Sequence, residues 1–391
     1  MRIVFEGEKV PGTRAVSRLK GGAAPGGRQL EPSRPLKHSF GAMTTKISPR
    51  TRAGRTGAII QKLGLRYVTV AQLTLRRRRN GKGFMYLGPN GRPLRDQRTL
   101  YRLKRLAVPP AYEDVCFAVD PQAHLQATGR DSAGRTQYRY HPDWEKVREI
   151  RKTRRLAQLL PLLPKIRAWV SRHLRDAEPT RDFALAAMVE LVACTALRAG
   201  SETYAQQNGT RGAATLIKTD IAIKAGQITL RFRGKGGKII EKSISSHRLA
   251  GALTKLLAIP GKRLFQYRAE DGTVCRLRRR DVNADLRVIA GRRIVLKDFR
   301  TMIASSRALE QLAAMEPKSS ERGRRRQVLA TMRAVAEDLA NTPAVCRRSY
   351  VHAAVVSAFE SGALMRMAQR KPGSSRGGEL ILAKVIESIA G

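Results

Sequence analysis

The residues with the clearest capacity for chemistry are basic side chains and one tyrosine. In the segment ANTPAVCRRSYVHAAVVSAF, residues 340–359, Tyr350 comes shortly after Arg347 and Arg348. A tyrosine hydroxyl can act as a nucleophile, and an arginine can bind two phosphate oxygens at once. A lysine whose pKa is lowered by neighbouring cations can donate a proton to a leaving oxygen. These residue types suit attack on a phosphodiester, in which negative charge spreads over the nonbridging oxygens, and no metal ion is then required.

The segment around Tyr350 has the local signals of a helix. Thr342 is a good N-cap because its hydroxyl can accept from the free amides of the first turn, and Pro343 falls where a missing N–H costs nothing. No Pro or Gly interrupts residues 344–359, so the sequence predicts one helix there. On such a helix Arg347, Tyr350 and Ala354 share a face. Taken alone, the segment fits a half-buried structural tyrosine, and the rest of the chain must decide its role.

No other catalytic motif competes with this chemistry. The GKGGK of residues 234–238 lacks the GxxxxGK[ST] spacing of a P-loop, and no Rossmann fingerprint occurs. The histidines form no HExxH and no pair at metal-ligand spacing. The four cysteines have no CxxC pair, which argues against a disulfide framework or a zinc site and fits a reducing compartment. We therefore expect neither a cofactor nor a metal ion.

The charge of the chain predicts a polyanionic partner. Lys and Arg number 76 against 31 Asp and Glu, which gives a net charge of +45 over 391 residues. Residues 1–55 hold only 12 of the basic and 3 of the acidic side chains, so most of the excess belongs to the rest of the chain. A folded body that is so basic points to nucleic acid. A ribosomal or histone-like protein would also be basic, but seldom with 42% apolar residues over this length.

The apolar segments give no sign of a membrane protein. The most apolar run, residues 183–197, contains Glu190 and is too short to span a bilayer, so it predicts a buried core helix. The amino end has no apolar core of the length that a signal peptide needs. We expect a cytoplasmic, nucleoid-associated protein without membrane contacts.

Composition divides the chain into three parts. Residues 1–55, rich in Gly, Pro, Ser and Arg, predict a disordered basic extension or a start codon assigned too far upstream. Residues 56–142 predict a small α+β domain with an antiparallel sheet, because strand and turn signals surround one helical pattern at 98–110. The β-branched YVTV of residues 67–70 is one of its predicted strands. Residues 143–391 predict a larger, mainly helical domain.

Helical patterns fill most of this third part. They occur at 144–158, 163–175, 181–198, 245–257, 280–290, 298–315, 324–340, 343–360 and 379–390. One β-hairpin insert, QITLRFRGKGGKIIEKSIS (227–245), interrupts them. Ile228, Leu230 and Phe232 alternate along its first strand, a Gly-Lys-Gly-Gly turn follows, and a second strand returns.

Five separated motifs resemble those of the type IB DNA topoisomerases, in the compact form found in bacteria and poxviruses. They follow the family's order over residues 60–360. HLQATGRDSAGRTQYRYHPDW (124–144) is similar to the end of the family's amino-terminal domain. ALRAGSETY (196–204) resembles its RxGxExY, FRGKGGK (232–238) its hairpin lysine, KDFRT (297–301) its KDxRT, and TPAVCRRSY (342–350) its tyrosine helix. The resemblance implies the catalytic fold shared by tyrosine recombinases and type IB topoisomerases.

The resemblance also implies catalytic roles. Tyr350 would be the nucleophile, joined to the 3′ phosphate of the cut strand. Arg198 and Arg300 would clamp the phosphate. Lys235, at a hairpin tip that closes on the DNA in the family, would be the general acid, with Lys238 as the alternative. Outside this context the same residues would be a structural tyrosine, a solvated helix cap and an ordinary turn lysine.

One further catalytic position departs from the poxvirus pattern. Asn341 stands where poxvirus members carry a histidine, whereas bacterial members resemble this chain. An amide can still donate a hydrogen bond to a nonbridging oxygen, and the bland interpretation is that Asn341 merely ends the preceding helix. Ala199 and Ser201 stand where Val or Ile and Asn are usual in the family.

Several matched residues imply contacts with DNA. Gln137, Tyr138 and Tyr140 match positions that meet the major groove in the family, with strand packing as the alternative. Lys238 and Lys297 are also expected to contact DNA.

The sequence as a whole predicts an enzyme that nicks and closes DNA. Two lobes, 56–142 and 143–391, would clamp a duplex as a monomer and relax supercoils without ATP or a metal. The runner-up is a tyrosine recombinase, which shares the catalytic set but typically carries HxxR where this chain has Lys297. A non-enzymatic architectural DNA binder would explain the charge but not the ordered motifs.

Overall fold

The structure is a computed structural model that describes residues 57–369 and 377–390. The extension predicted at 1–55 lies outside the described residues. All the described residues belong to one compact unit of the chain.

An antiparallel sheet organises the N-terminal region, residues 57–142. Its strands are β1 (Leu75–Asn80), β2 (Gly83–Leu87), β3 (Glu113–Phe117), β4 (Leu125–Arg130) and β5 (Thr136–Tyr140), in the order β2-β1-β3-β4-β5. Helix α1 (Gln97–Arg105) begins where the side chain of Asp96 accepts from the amide of Thr99. It buries Leu103 against one face of the sheet, next to Leu75 and Phe117. The predicted α+β character and antiparallel sheet are confirmed.

Two details of this region differ from the sequence prediction. YVTV (67–70) is not a strand, because the amide of Thr69 donates to Gln72 Oε1 at 2.7 Å and a 3-10 turn follows over Val70–Gln72. A side chain that takes a backbone amide in this way competes with strand pairing. Conversely, β1 was not predicted, because its sequence LRRRRN hides the alternation of a strand.

Twelve helices of the described residues form most of the C-terminal region. They are α2 (Trp144–Leu159), α3 (Leu163–His173), α4 (Arg181–Thr195), α5 (Glu202–Asn208), α6 (His247–Ala258), α7 (Arg279–Ala290), α8 (Leu296–Ala313), α9 (Glu321–Asp338), α10 (Pro343–Ser349), α11 (Ala353–Glu360), α12 (Ala363–Gln369) and α13 (Gly377–Ala390). Helices α5 and α12 were not predicted, because seven residues are too few for a periodic pattern.

The β insert is confirmed and is larger than predicted. Strands β7 (Gln227–Arg233) and β8 (Ile239–Ser245) form the predicted hairpin, and β6 (Ile221–Lys224) adds a third strand beside β7. Along β7, Ile228, Leu230 and Phe232 are buried in alternation. A separate two-stranded hairpin consists of β9 (Gln266–Arg268) and β10 (Val274–Arg276).

Helix α4 is the buried core helix that the apolar run predicts. Phe183, Leu185 and Met188 are fully buried in the main apolar cluster. The helix ends at Thr195, earlier than predicted, because Ala196 adopts a left-handed conformation with φ 53°. The chain therefore leaves the core just before Arg198. Among the described helices, none is long and apolar enough to cross a membrane.

Helix α2 contacts both regions of the molecule. Its first turn places Trp144 and Val147 in a small apolar cluster with Ile59, Ile60 and Leu65. Its last turn places Leu156 and Leu159 in the main cluster of the C-terminal region. The predicted domain boundary between 142 and 143 stays a prediction.

Candidate active site

Tyr350 lies at a break between two helices, not inside one. Helix α10 ends at Tyr350, which has φ −127° and ψ −50°, and α11 begins at Ala353. The predicted continuous helix over 344–359 is therefore wrong, and Tyr350 does not share a helical face with Ala354. The predicted start is confirmed, because the Thr342 side chain accepts from Val345 N at 3.3 Å and Pro343 is the first helical residue.

Side chains from elsewhere in the fold hold this break. Ser305 on α8 donates its hydroxyl to the carbonyl of Tyr350 at 3.2 Å and accepts from the amide of His352 at 3.0 Å. On α2, Lys152 Nζ donates to the carbonyl of Val351 at 3.0 Å, and Glu149 Oε1 accepts from Ala353 N at 2.9 Å. No Pro or Gly is needed for the break, because these partners satisfy the backbone groups that a continuous helix would otherwise pair.

Arg300 on α8 faces Tyr350. Its guanidinium lies 4.9 Å from the centroid of the Tyr350 ring, and Nη1 and Nη2 donate to the carbonyls of Ala196 and Leu339. Only 4% of the residue is exposed, and its Nε has no hydrogen-bond partner among the described residues. Burial lowers the pKa of the guanidinium to about 10, so it stays charged at neutral pH. The free Nε is a charged donor without an acceptor.

Positive charge surrounds the Tyr350 hydroxyl. Burial raises the pKa of this phenol, but the positive charges of Arg300, Arg198 and Lys297 outweigh burial and leave the pKa below its ordinary value. Lys297 Nζ lies 6.0 Å from the Tyr350 ring centroid. Lys297 and Arg300 are three residues apart on α8 and so share a face. A lowered pKa favours the phenolate, which is the nucleophilic form.

Arg198 and Asn341 contact each other beside this tyrosine. Arg198 Nη2 donates to Asn341 Oδ1, while the buried Asn341 Nδ2 has no partner in the part of the chain that the structure describes. The loop of Arg198 passes close to Gly212, where a Cβ would come within 2.4 Å of the Arg198 carbonyl oxygen. The site thus contains a second buried N–H donor without an acceptor, on a residue singled out from the sequence.

Lys235 lines the same cavity as Arg198 and Arg300. It lies in a short 3-10 turn, Lys235–Gly237, at the tip between β7 and β8, and it is exposed. Lys238, at the end of this turn, is also exposed. The structure therefore brings Arg198, Lys235 and Arg300 to one cavity, beside Asn341 and Tyr350.

The sequence prediction missed a charged cluster on the wall of this cavity. Lys242 on β8 lines the cavity and pairs with Asp338 at the end of α9, which also pairs with Arg307. Burial, together with the charges of Arg307 and Arg300, lowers the pKa of Lys242 to about 8. A lysine between Ile240 and Ile244 on one strand face was the available sequence signal.

The predicted DNA contacts of β5 lie in the N-terminal sheet. Tyr138 is 47% exposed, and Gln137 Nε2 donates to Asp131 Oδ2 at 2.9 Å. Tyr140 is only half-buried and stacks on Trp144 with ring centroids 5.6 Å apart. Tyr140 thus packs against Trp144, and Tyr138, whose ring stacks on Tyr140, is the more exposed of the two; the DNA contacts of both stay predictions.

The described residues offer no candidate metal centre: no group of three or more His, Cys, Asp or Glu within 57–369 or 377–390 could hold a metal ion.

Two family profiles match the chain. That of the bacterial DNA topoisomerase IB N-terminal domain matches residues 83–131, and that of the eukaryotic DNA topoisomerase I catalytic core matches residues 138–371. The second match spans more than half of the chain and includes Arg198, Lys235, Arg300, Asn341 and Tyr350.

A curated relative points the same way. The DNA topoisomerase 1B of Acanthamoeba polyphaga mimivirus is 30% identical over 282 residues, which cover 70% of this chain and 84% of that protein. The chain belongs to the type IB DNA topoisomerases. It is therefore an isomerase that acts on DNA, and the tyrosine recombinase alternative is the less favoured.

Solved structures of a recombinase are also similar, but only distantly. The pre-cleavage complex of the XerH site-specific recombinase with difH substrate has 14% identity and a TM-score of 0.31, and covers 49% of this chain and 49% of that one. The post-cleavage complex with palindromic difH has 14% identity and a TM-score of 0.32, and covers 53% and 51%. Likenesses this low carry no argument.

Proposed function

We propose that this chain relaxes supercoiled duplex DNA by cutting one strand with Tyr350. The cut strand is held as a 3′-phosphotyrosyl ester while its free 5′ end swivels, and the 5′ hydroxyl then reverses the ester. The observation that carries the proposal is the convergence of Arg198, Arg300 and Lys297 on one half-buried tyrosine.

The chemical step assigns one task to each side chain. Tyr350 Oη releases its proton to solvent water and attacks the phosphorus as the phenolate, and the bond from phosphorus to the 5′ oxygen breaks. Lys235 donates a proton to that leaving oxygen. Arg198 and Arg300 neutralise the nonbridging oxygens, on which charge grows in the transition state. Religation runs the same steps in reverse.

The two donors without acceptors support this assignment. Arg300 Nε and Asn341 Nδ2 are buried N–H groups with no partner among the described residues. Buried donors are almost always paired in folded proteins, so an unpaired couple beside Tyr350 is where a phosphate would bind. The ester conserves the energy of the phosphodiester bond, so neither ATP nor a divalent metal is needed.

The N-terminal region would supply the other half of a clamp. Arg76 on β1, Cys116, Thr128 and Tyr138 lie in one row across four paired strands, on the face opposite α1. We propose that Tyr138 and Gln137 meet the DNA, that Lys238 and Lys297 contact its backbone, and that the enzyme works as a monomer on the DNA of the cytoplasm, with the nucleoid as its site of action.

Plasmid relaxation in EDTA without ATP tests the reaction. We expect both negative and positive supercoils to be removed. Tyr350→Phe should abolish relaxation and the covalent protein–DNA adduct while DNA affinity stays within about two-fold, because only one hydroxyl is lost. Tyr267→Phe, which removes a hydroxyl from β9, is the matched control and should relax DNA normally. A strict magnesium requirement, or an adduct that persists in Tyr350→Phe, would contradict the proposal.

A further inference from the structure

The break after Tyr350 leaves four backbone groups that depend on side chains from two distant helices. The carbonyls of Tyr350 and Val351 and the amides of His352 and Ala353 bond to Ser305, Lys152 and Glu149. Val351 and His352 are almost completely buried, so water cannot replace the partners of these two residues, whereas Ala353 is exposed. The backbone conformation at Tyr350 is therefore set from outside its own segment.

His352 connects the break to α2 through a chain of hydrogen bonds. Its Nδ1 accepts from the amide of Ala354 at 3.1 Å and so caps α11. In the neutral ring Nε2 then carries the proton, and it lies 2.8 Å from Thr153 Oγ1. Thr153 in turn donates to the carbonyl of Glu149 at 3.1 Å.

The charged groups that face His352 complete the cluster. Glu149 Oε1 lies 3.4 Å from His352 Nε2, and Glu149 Oε2 accepts from Lys152 Nζ at 2.7 Å. Both partners lie on α2, and Ser305 approaches from α8. Every hydrogen-bonding atom of the imidazole has a partner, which is the condition under which a buried polar group specifies one geometry.

Helix α2 also contacts α8, the helix that carries Arg300. Arg155 Nη1 donates to the buried Asp298 Oδ1 at 2.8 Å, and Asp298 Oδ2 accepts from Val295 N at 3.0 Å at the start of α8. Helix α2 thus contacts both the Tyr350 break and the start of α8, the helix that carries Lys297 and Arg300.

We propose that Glu149, Lys152, Thr153 and His352, here called the break cluster, are positioning residues for Tyr350. They hold the helix break so that the phenol stays against Arg300 while DNA is cut and rejoined. This inference rests on the proposed role of Tyr350 as the nucleophile. Within the described residues, the cluster contacts the backbone of residues 348–354 and its own members, so we expect its loss to slow the chemical step and spare DNA affinity.

Thr153 gives the sharpest test, because valine preserves its shape and serine preserves its hydroxyl. Thr153→Val removes the acceptor 2.8 Å from His352 Nε2 and leaves this proton only the more distant Glu149 Oε1, at 3.4 Å. A displacement of about 1 Å at a reacting group can cost about 10²-fold in rate. We expect Thr153→Val to slow single-turnover cleavage of a suicide DNA substrate by about 10- to 100-fold, and Thr153→Ser to stay within about three-fold of the wild type.

Glu149→Gln is the second variant, so that the inference can still be tested if Thr153→Val fails to fold. It retains an oxygen for Ala353 N but faces Lys152 without a charge, so the same slowing is expected. Glu321→Gln on α9 is the charge-matched control: Glu321 is exposed and pairs with Arg325 one turn away, far from the break cluster in the chain, so cleavage should not change.

A pH–rate profile separates positioning from general loss of stability. The cations around Tyr350 lower the pKa of its phenol, so a displaced phenol should ionise at higher pH. In Thr153→Val and Glu149→Gln we expect the apparent pKa for cleavage to move upward, with the Kd for uncut DNA within about two-fold of wild type.

The outcomes distinguish the two proposals. An adduct in Tyr350→Phe would overturn the role of Tyr350 and this inference with it. If Tyr350→Phe is inactive but both cluster variants cleave at the wild-type rate with the wild-type pH profile, only the positioning inference fails. It also fails if slower cleavage is matched by an equal loss of DNA affinity and an unchanged pH profile.

Discussion

Two arginines, one in each region of the molecule, both bind backbone carbonyls but differ in whether their Nε is left buried without a partner among the described residues. Arg77 on β1 donates to the carbonyls of Val108, Pro109 and Tyr112 at 2.8–2.9 Å and stacks on Phe84. Arg300 on α8 donates to only two carbonyls and keeps a buried Nε without a partner within the described residues. Burial lowers the pKa of both guanidinium groups.

The difference separates a structural arginine from one that is prepared for a ligand. Arg77 uses three of its five N–H donors to hold the loop at 108–112 against the sheet, which is a structural role. Arg300 is held rigidly by two carbonyls, while its Nε–H has no acceptor among the described residues and its guanidinium lies beside Tyr350. A donor that is fixed before the substrate arrives needs no reorganisation when charge develops, and this is the condition for strong electrostatic catalysis.

Replacing each arginine by lysine should give the largest contrast. Arg300→Lys loses the rigid, planar fork, because an ammonium is a compact charge on a flexible stem and cannot reach both carbonyls and a phosphate in the guanidinium's geometry. We expect single-turnover cleavage to fall by about 10³-fold, with DNA affinity changed only a few-fold. Arg77→Lys should lower the melting temperature but cleave normally below it. Equal losses of cleavage in the two variants would refute the distinction.

Asn341 should show a smaller effect of the same kind. Asn341→Ala removes the unpaired Nδ2 donor, and we expect cleavage to slow by about 10²-fold, as for the loss of one transition-state hydrogen bond. Asn341→His restores a donor and should keep substantial activity. Suicide-substrate cleavage at saturating DNA measures both. A wild-type rate in Asn341→Ala would reduce this residue to a helix terminator.

The exposed sheet arginines should affect binding instead of chemistry. Arg78 is exposed on the same face of β1 as Arg76. Arg78→Gln should weaken DNA binding several-fold at low salt and reduce the slope of log K against log salt by about 0.9, as for one lost phosphate contact. Binding isotherms at several salt concentrations test this. A slope equal to that of the wild type would remove Arg78 from the DNA-binding surface.

The free energy of unfolding should fall at acid pH because the imidazole of His352 is buried. Burial lowers the pKa of His352 to about 4, even though Glu149 favours the charged form. The unfolded chain therefore binds a proton that the folded chain does not, and stability falls as the pH drops from about 6.5 toward 4. Between pH 7 and 6 the loss from this group is roughly 0.7 kcal/mol.

Denaturant unfolding of the wild type and His352→Asn at both pH values measures this loss. Asparagine can still cap α11, so the variant should be folded but lack this share of the pH dependence. Identical pH dependence in the two proteins would show that His352 is protonated without cost.

The sequence predicted the elements whose determinants are local. The alternation of Ile228, Leu230 and Phe232 is visible within one strand, and the Thr342 cap needs only its own first turn. The motifs around Arg198, Arg300 and Tyr350 located the cavity through a family resemblance. The roles of these residues stay predictions.

The break at Tyr350 was not predictable, because its causes lie between 45 and 204 positions away in the chain. Nothing in residues 344–359 disfavours a helix, and the partners that interrupt it come from Glu149 and Lys152 on α2. Strand β1 was missed for a different reason. Its arginines lie on both faces of the strand, so the sequence shows no alternation of polar and apolar residues that would identify the buried face. Lys242 was missed because an ion pair is invisible until β8 and α9 meet.

Helix α2 physically connects the N-terminal region with the segment that carries Tyr350. Its 16 residues span about 24 Å as a single rod, with Trp144 seated in the N-terminal region and Thr153 beneath the Tyr350 break. A shift of the rod at one end displaces the other. Because such coupling is reciprocal, under the proposed role of Tyr350 a shift of α2 caused by DNA at the N-terminal region would also act on Tyr350, and attachment of Tyr350 to DNA would act back on the N-terminal region.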